Sequence, residues 1–176
     1  MFLVCFVWSA LSIARQEDER LPGLFENLLA ASSTAEASAL ENNIWRIWTD
    51  SGREDVNRLM ARGIQAMSYR LYDLALASFD EVVSLDPEFA EGWNKRATVY
   101  WLKDDLGASM KDIQRTLALE PRHFGAISGM GLIFLNRGDP TGALQAFEEV
   151  LKINPYSRSA KLQVDHLRSR LEGDSV

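Results

Sequence analysis

The chain of 176 residues is poor in the side chains that carry most metal, disulfide and acid–base chemistry, because it has one cysteine and two histidines. The single Cys5 excludes an intramolecular disulfide framework and a metal site built from several cysteines. His123 and His166 belong to no metal-ligand motif, and no nucleophile stands beside a base in a catalytic motif. We therefore predict a protein that is not an enzyme, with no catalytic residues, metal or cofactor. His123, at a turn before a helix, is expected to cap that helix or lie at the surface.

Positive charge is also scarce, since 19 lysines and arginines face 25 aspartates and glutamates and the net charge is −6. A protein that binds the nucleic-acid backbone presents clustered lysine and arginine, so we predict no nucleic-acid partner. The hydrophobic share of 47% and the charged share of 25% are ordinary for a soluble globular domain.

Residues 2–13 form an almost wholly apolar run, interrupted only by Ser9 and Ser12. The run is shorter than the roughly 20 residues that a membrane-spanning helix needs. It is typical of the apolar part of a secretory signal, with Ser12 and Ala14 as the small residues before a cleavage point. No basic residue precedes it, so a short internal apolar segment is the alternative. We predict a signal peptide over residues 1–14, a periplasmic or secreted location, and no stable membrane span after cleavage.

Three prolines, Pro87, Pro121 and Pro155, are separated by 34 residues each. Each follows a short apolar phrase, and proline stops a helix because it lacks an N–H and restricts the residue before it. A helix stop that recurs at this period predicts a stack of helix pairs.

Apolar residues at helical spacing predict the remaining elements. The pairs are expected at 55–68 and 72–85, 89–102 and 106–119, and 123–136 and 140–153. Before them, helices at 21–31 and 34–50 form a hairpin that we expect to cover the first repeat. After Pro155, residues 157–171 predict a last amphipathic helix that closes the stack.

The helix pairs resemble the tetratricopeptide repeat (TPR), in which small residues let paired helices approach closely and aromatic residues fill the space between helices. Small residues occupy the corresponding places, namely Gly63, Ala97 and Gly131 in the first helices and Ala75, Ser109 and Ala143 in the second. The aromatic positions hold Phe79, Tyr100, Phe134 and Phe147, but Ala66 and Ile113 stand where the repeat expects an aromatic residue.

The resemblance implies an all-α fold, a right-handed α-solenoid of three TPR helix pairs with an N-terminal helical hairpin and a C-terminal capping helix. The predicted organisation is a signal peptide (1–14), a linker and hairpin (15–53), three repeats (54–89, 90–123 and 124–155), and a capping helix with a tail (156–176). The apolar leader, the three repeats and the segment Ile44-Trp45-Arg46-Ile47-Trp48 also resemble bacterial exported TPR-repeat proteins.

TPR proteins bind partners in a concave groove lined by the first helix of each pair, and the resemblance places a partner-binding groove here. Its residues would be Asn57, Met60, Ile64 and Met67, then Glu91, Asn94, Lys95, Thr98 and Trp101, then Gly125, Ser128, Leu132 and Leu135. Only Asn94 and Lys95 resemble the arrangement that grips a peptide's terminal carboxylate. We therefore expect a protein or peptide partner that docks an apolar segment.

Two alternatives stay open at this stage. The terminal helices could cover the groove, and the exposure of Trp101 would decide whether it is open. The chain could instead be a structural assembly element that self-associates or scaffolds an envelope complex. The sequence does not fix the oligomeric state.

Overall fold

The computed structural model describes residues 18–173, and the regular structure in that range is entirely helical. Its nine helices are α1 (Arg20–Ala30), α2 (Thr34–Trp48), α3 (Glu54–Ser68), α4 (Tyr72–Leu85), α5 (Ala90–Leu102), α6 (Leu106–Leu119), α7 (Phe124–Asn136), α8 (Pro140–Ile153) and α9 (Arg158–Gly173). The predicted signal peptide over 1–14 and the first linker residues lie outside the described residues.

Helices α3 to α8 form three consecutive antiparallel pairs whose ends agree with the predicted ones to within one residue. Side chains satisfy the first backbone N–H groups of several helices, since Asp105 accepts from Ala108 at 2.9 Å and Asp139 accepts from Gly142 at 2.8 Å. The turn inside each pair places one residue in the left-handed region, at Arg70, Asp104 and Gly138. These three positions are again 34 residues apart, so the repeat extends to backbone conformation.

Small residues bring the two helices of a pair together, as the pattern predicts. A Cβ atom added at Gly63 would lie 2.5 Å from the Phe79 ring, and one at Gly131 would lie 2.9 Å from the Phe147 ring. Any larger residue at these places would force the paired helices apart.

The N-terminal hairpin, α1 and α2, does not cover the first repeat, and the prediction that it does is wrong. Its apolar face joins one core cluster with α7, α8 and α9, which includes Leu28, Trp48, Phe124 and Leu167. Polar contacts fix the same arrangement, since the Asn154 amide donates to Glu41 at 2.9 Å and the Tyr156 hydroxyl donates to the carbonyl oxygen of Ala31.

The first repeat has a core of its own around Val56, Phe79 and Val82. The hairpin therefore folds back over the third repeat and the last helix. Helical periodicity shows which face of the hairpin is apolar, but not which surface will cover that face. No helix among residues 18–173 combines the length and apolar character needed to cross a membrane.

Candidate functional site

A pocket of about 220 Å³ lies where α5, α6 and α7 meet. Six residues of the predicted groove line it, namely Asn94, Thr98, Trp101, Gly125, Ser128 and Leu132. Trp101 is 38% exposed and Leu132 is 36% exposed. The pocket is thus open to solvent along an apolar rim.

The floor of the pocket is made of small or aliphatic residues, Ala97, Ile113 and Gly129. A Cβ atom at Gly129 would lie 3.3 Å from the Ile113 side chain, so the bare glycine backbone adds depth. The floor is apolar, and it would bind an apolar group by removing both surfaces from water.

Three hydroxyl groups line the pocket, and each donates its proton to a backbone carbonyl. Thr98 donates to Asn94 at 2.9 Å, Ser128 donates to Phe124 at 2.8 Å, and Ser109 donates to Ala97 at 2.8 Å. Because a hydroxyl has one proton and two lone pairs, these oxygens can still accept a hydrogen bond from a ligand.

The opposite end of the concave face, at the N-termini of α5 and α7, is filled by two tryptophans of the hairpin. The Trp48 ring stacks on the His123 ring at a centroid distance of 4.2 Å with 10° between the planes. The Trp45 ring meets Phe124 edge-on at 5.3 Å, and it lies so close to Gly125 that an added Cβ would be 2.7 Å away. No partner could enter here without displacing the hairpin.

Beneath these rings lies a buried carboxylate, Glu91. The Nδ1 atom of His123 accepts the Ala126 N–H at 3.1 Å, so its proton sits on Nε2 and is donated to Glu91 at 3.0 Å. The Asn94 amide donates to the same carboxylate at 2.8 Å, and the Lys95 ammonium lies 2.9 Å from its other oxygen.

Burial raises the pKa of Glu91, but the hydrogen bond from His123 and the nearby Lys95 charge outweigh it, so the pKa lies below the usual glutamate range. Glu91 is therefore an ionised structural group that His123, Asn94 and Lys95 hold in place. His123 caps α7, which is one of the two roles predicted for it. It does not lie at the surface, the other predicted role, because its side chain is buried.

Comparison with known proteins shows the family to which the chain belongs. It is 39% identical over 156 residues to a TPR repeat-containing protein of Rhizobium etli, an alignment that covers 89% of this chain and 76% of the relative. The chain belongs to the TPR repeat proteins. It is also 25% identical over 108 residues to the small glutamine-rich tetratricopeptide repeat-containing protein 2 of Saccharomyces cerevisiae, where it spans 31% of the relative. No protein-family model matches the chain.

Solved TPR domains share the fold at low sequence identity. The Sgt2 TPR domain from Aspergillus fumigatus superposes with a TM-score of 0.65 at 20% identity, covering 70% of this chain and 83% of that domain. The first TPR domain of Spaghetti (RPAP3), bound to the HSP90 peptide SRMEEVD, superposes at 0.64 with 19% identity, covering 68% of this chain and 94% of that domain. The all-α TPR solenoid is confirmed.

The other predicted groove residues of this TPR protein lie away from the pocket. Met60 is buried in the core of the first repeat, and Met67 packs against that core. Asn57 accepts from Ser51 and donates to Asp50, which ties α3 to the end of the hairpin. Leu135 packs against the cluster that contains the hairpin, while Ile64 is exposed on α3.

The predicted groove positions omit four residues that line the pocket, Ala97, Ser109, Ile113 and Gly129. One signal for them was present in the sequence. Phe79 and Phe147 reach across to the small residue of the paired helix in the first and third repeats, but Ile113 holds that place in the second. At this place the Ile113 side chain lines the pocket beside Ala97.

Proposed function

We propose that this TPR protein is a non-catalytic interaction module that binds a segment of a partner polypeptide at the open end of its concave face. The observation that carries the proposal is the pocket beside the exposed Trp101. Large apolar side chains around a cleft mark interaction sites, and tryptophan is enriched among the residues that dominate binding energy.

The size of the pocket favours a polypeptide side chain over a metabolite. Its volume of about 220 Å³ is below the range of about 300–1,000 Å³ that is usual for small-molecule sites. Two TPR domains of the same fold support the proposal, since one is bound to an HSP90 peptide and the TPR2B domain of yeast Sti1 forms a complex with pHsp70.

The charges favour an apolar segment over a carboxylate tail. Lys95 is the one cationic residue of the predicted groove, and it is paired with Glu91 and lies 5.8 Å from the centre of the Trp45 ring. No charged side chain lines the pocket itself among the described residues. A carboxylate would find no cation to replace its hydration.

A crosslinking pull-down from the source cells would test the proposal, with the full chain compared with Trp101→Ala and Leu132→Ala. We expect each variant to capture the crosslinked partner at least about tenfold less well, because truncation of a central anchor costs about 2 kcal/mol or more. Leu162→Ala is the matched control, since Leu162 is 62% exposed on α9, away from the pocket. Equal capture by all four proteins would contradict the proposal, and recovery of only a second copy of this chain would favour an assembly element.

We further propose that the protein is exported to the periplasm or secreted. The support is the apolar run of residues 2–13 and the small residues Ser12 and Ala14 that follow the pattern of a cleavage site. N-terminal sequencing of the natively expressed protein is expected to begin at Arg15. An intact Met1, or a start inside the apolar run, would overturn the cleavage claim.

A further inference from the structure

The hydroxyl groups of the pocket present acceptors to a ligand. The protons of Thr98, Ser109 and Ser128 are all committed to backbone carbonyls of the helices, as the hydrogen-bond geometry requires. One of the two N–H protons of the Asn94 amide is donated to the buried Glu91. The three hydroxyl groups of the lining therefore favour a ligand that donates a hydrogen bond.

The net charge of the protein also disfavours an anionic ligand. The net charge of −6 gives the molecule a field that repels anions, and among residues 18–173 the pocket lining holds no cation to reverse it. A carboxylate beside Thr98, Ser109 and Ser128 would meet hydroxyl oxygens whose protons are already donated to backbone carbonyls. A lysine ammonium would lose its hydration without gaining a carboxylate, so a neutral donor is favoured.

Tryptophan satisfies these conditions better than the other large side chains. Its indole has a single N–H donor and no acceptor, whereas the tyrosine hydroxyl also brings an acceptor that would find no donor on the floor. Its ring supplies a large apolar area for the surface of Ala97, Ile113 and Gly129.

We infer that the pocket between α5, α6 and α7 is a subsite for a tryptophan of the partner segment. The hydroxyl oxygens of Thr98 and Ser128 accept the hydrogen bond of its indole N–H. This inference rests on the proposed function and names the residue that the partner inserts. The pocket excludes an acidic side chain or a terminal carboxylate.

Titration of the ¹⁵N-labelled full chain, followed by NMR, tests the inference. The probes are N-acetyltryptophanamide, its 1-methylindole analogue, which lacks the indole N–H, and N-acetylglutamate. We expect N-acetyltryptophanamide to shift the amide signals around Thr98 and Ser128 and to bind about three- to tenfold more tightly than the methylated analogue, as one net hydrogen bond implies. N-acetylglutamate is expected to leave these signals unchanged.

A double variant, Thr98→Val with Ser128→Ala, separates the hydrogen bond from the steric effect of the methyl group. We expect the affinity ratio of the two tryptophan probes to fall toward one in this variant while the methylated probe binds as before. Ser68→Ala is the matched control, because the Ser68 hydroxyl also donates to a carbonyl of its own helix but lies on α3 outside the pocket.

Equal affinities of the two tryptophan probes for the parent protein would overturn the inference, as would a ratio that survives in the double variant. Failure to bind any probe at the pocket would overturn it as well. In each of these cases the loss of partner capture in Trp101→Ala would still support the proposed function, so the two failures are distinguishable.

Discussion

The two ends of the concave face are built from the same two helices, α5 and α7, yet they differ in what covers them. At the helix N-termini, Trp45 and Trp48 of the hairpin fill the face and bury His123 and Glu91. Toward the C-termini, Trp101 stays exposed beside a pocket that none of residues 18–173 fills.

The difference shows that the hairpin occupies one end of the groove. Leu21, Leu28, Ile44 and Trp48 are fully buried beneath or within it, so removing the hairpin would expose a large apolar area. We interpret the hairpin as a permanent part of the fold, which leaves a partner only the open end. The following predictions test this contrast.

The largest difference in stability is expected between variants of two tryptophans, one at each end of the concave face. Trp48→Ala should lower the free energy of unfolding by about 3–5 kcal/mol, because a fully buried large side chain leaves a cavity. Trp101→Ala should lower it by about 1 kcal/mol or less, because much of that ring already contacts water. Urea unfolding followed by circular dichroism measures both. Similar losses in the two variants would contradict the division into a closed and an open end.

The buried charge at the closed end predicts a pH dependence. The pKa of Glu91 is lowered in the folded state, so its stabilising contribution is present above the ordinary glutamate pKa of about 4.3 and is lost as the pH falls through the folded value. Glu91→Gln should cost about 2 kcal/mol at pH 7, because it removes a charged hydrogen-bond acceptor. The stability gap between the parent and this variant should narrow as the pH falls from about 5 to about 3.

Urea unfolding at a series of pH values provides the measurement for Glu91→Gln. Glu26→Gln is the matched control, since Glu26 is exposed on α1. A gap that stays constant down to pH 3, or that appears equally in the control, would show that Glu91 does not carry the effect.

Substitutions at two glycines one helical turn apart on α7 are expected to have the smallest and most local effects on stability. An added Cβ at Gly125 would lie 2.7 Å from the Trp45 ring, whereas at Gly129 its nearest neighbour is the end of Ile113 at 3.3 Å, beside open space. Gly125→Ala should therefore lower stability by about 1 kcal/mol despite the better helix propensity of alanine. Gly129→Ala should leave it unchanged or raise it by up to about 1 kcal/mol. If thermal unfolding gave the reverse order, the closed end would not be tightly packed.

Much of the fold could be predicted from local features of the sequence. Pro87, Pro121 and Pro155 end helices by their own chemistry, and small residues such as Gly63 and Gly131 are needed wherever an aromatic ring crosses to the paired helix. These constraints act within one repeat, so their spacing alone gives the helix pairs and their register.

The candidate site could be predicted only in part. Asn94, Thr98, Trp101, Ser128 and Leu132 follow from the TPR pattern and line the pocket. Met60 and Glu91 also stand at groove positions of the pattern, but both side chains are buried. Their burial comes from neighbours distant in sequence, in the case of Glu91 the ring of His123, 32 residues further along the chain.

The sequence by itself determined the repeat, the helix boundaries and the face of each helix that must be buried, because these depend on residues a few positions apart. Only the tertiary structure decided that the hairpin returns to α7, α8 and α9, since any apolar surface of suitable shape could have satisfied its apolar face. That choice closed one end of the groove with Trp45 and Trp48 and left Trp101 exposed at the other. The hydrophobic effect favours burial of the hairpin's apolar face but has no direction, so shape and packing determine which surface covers that face.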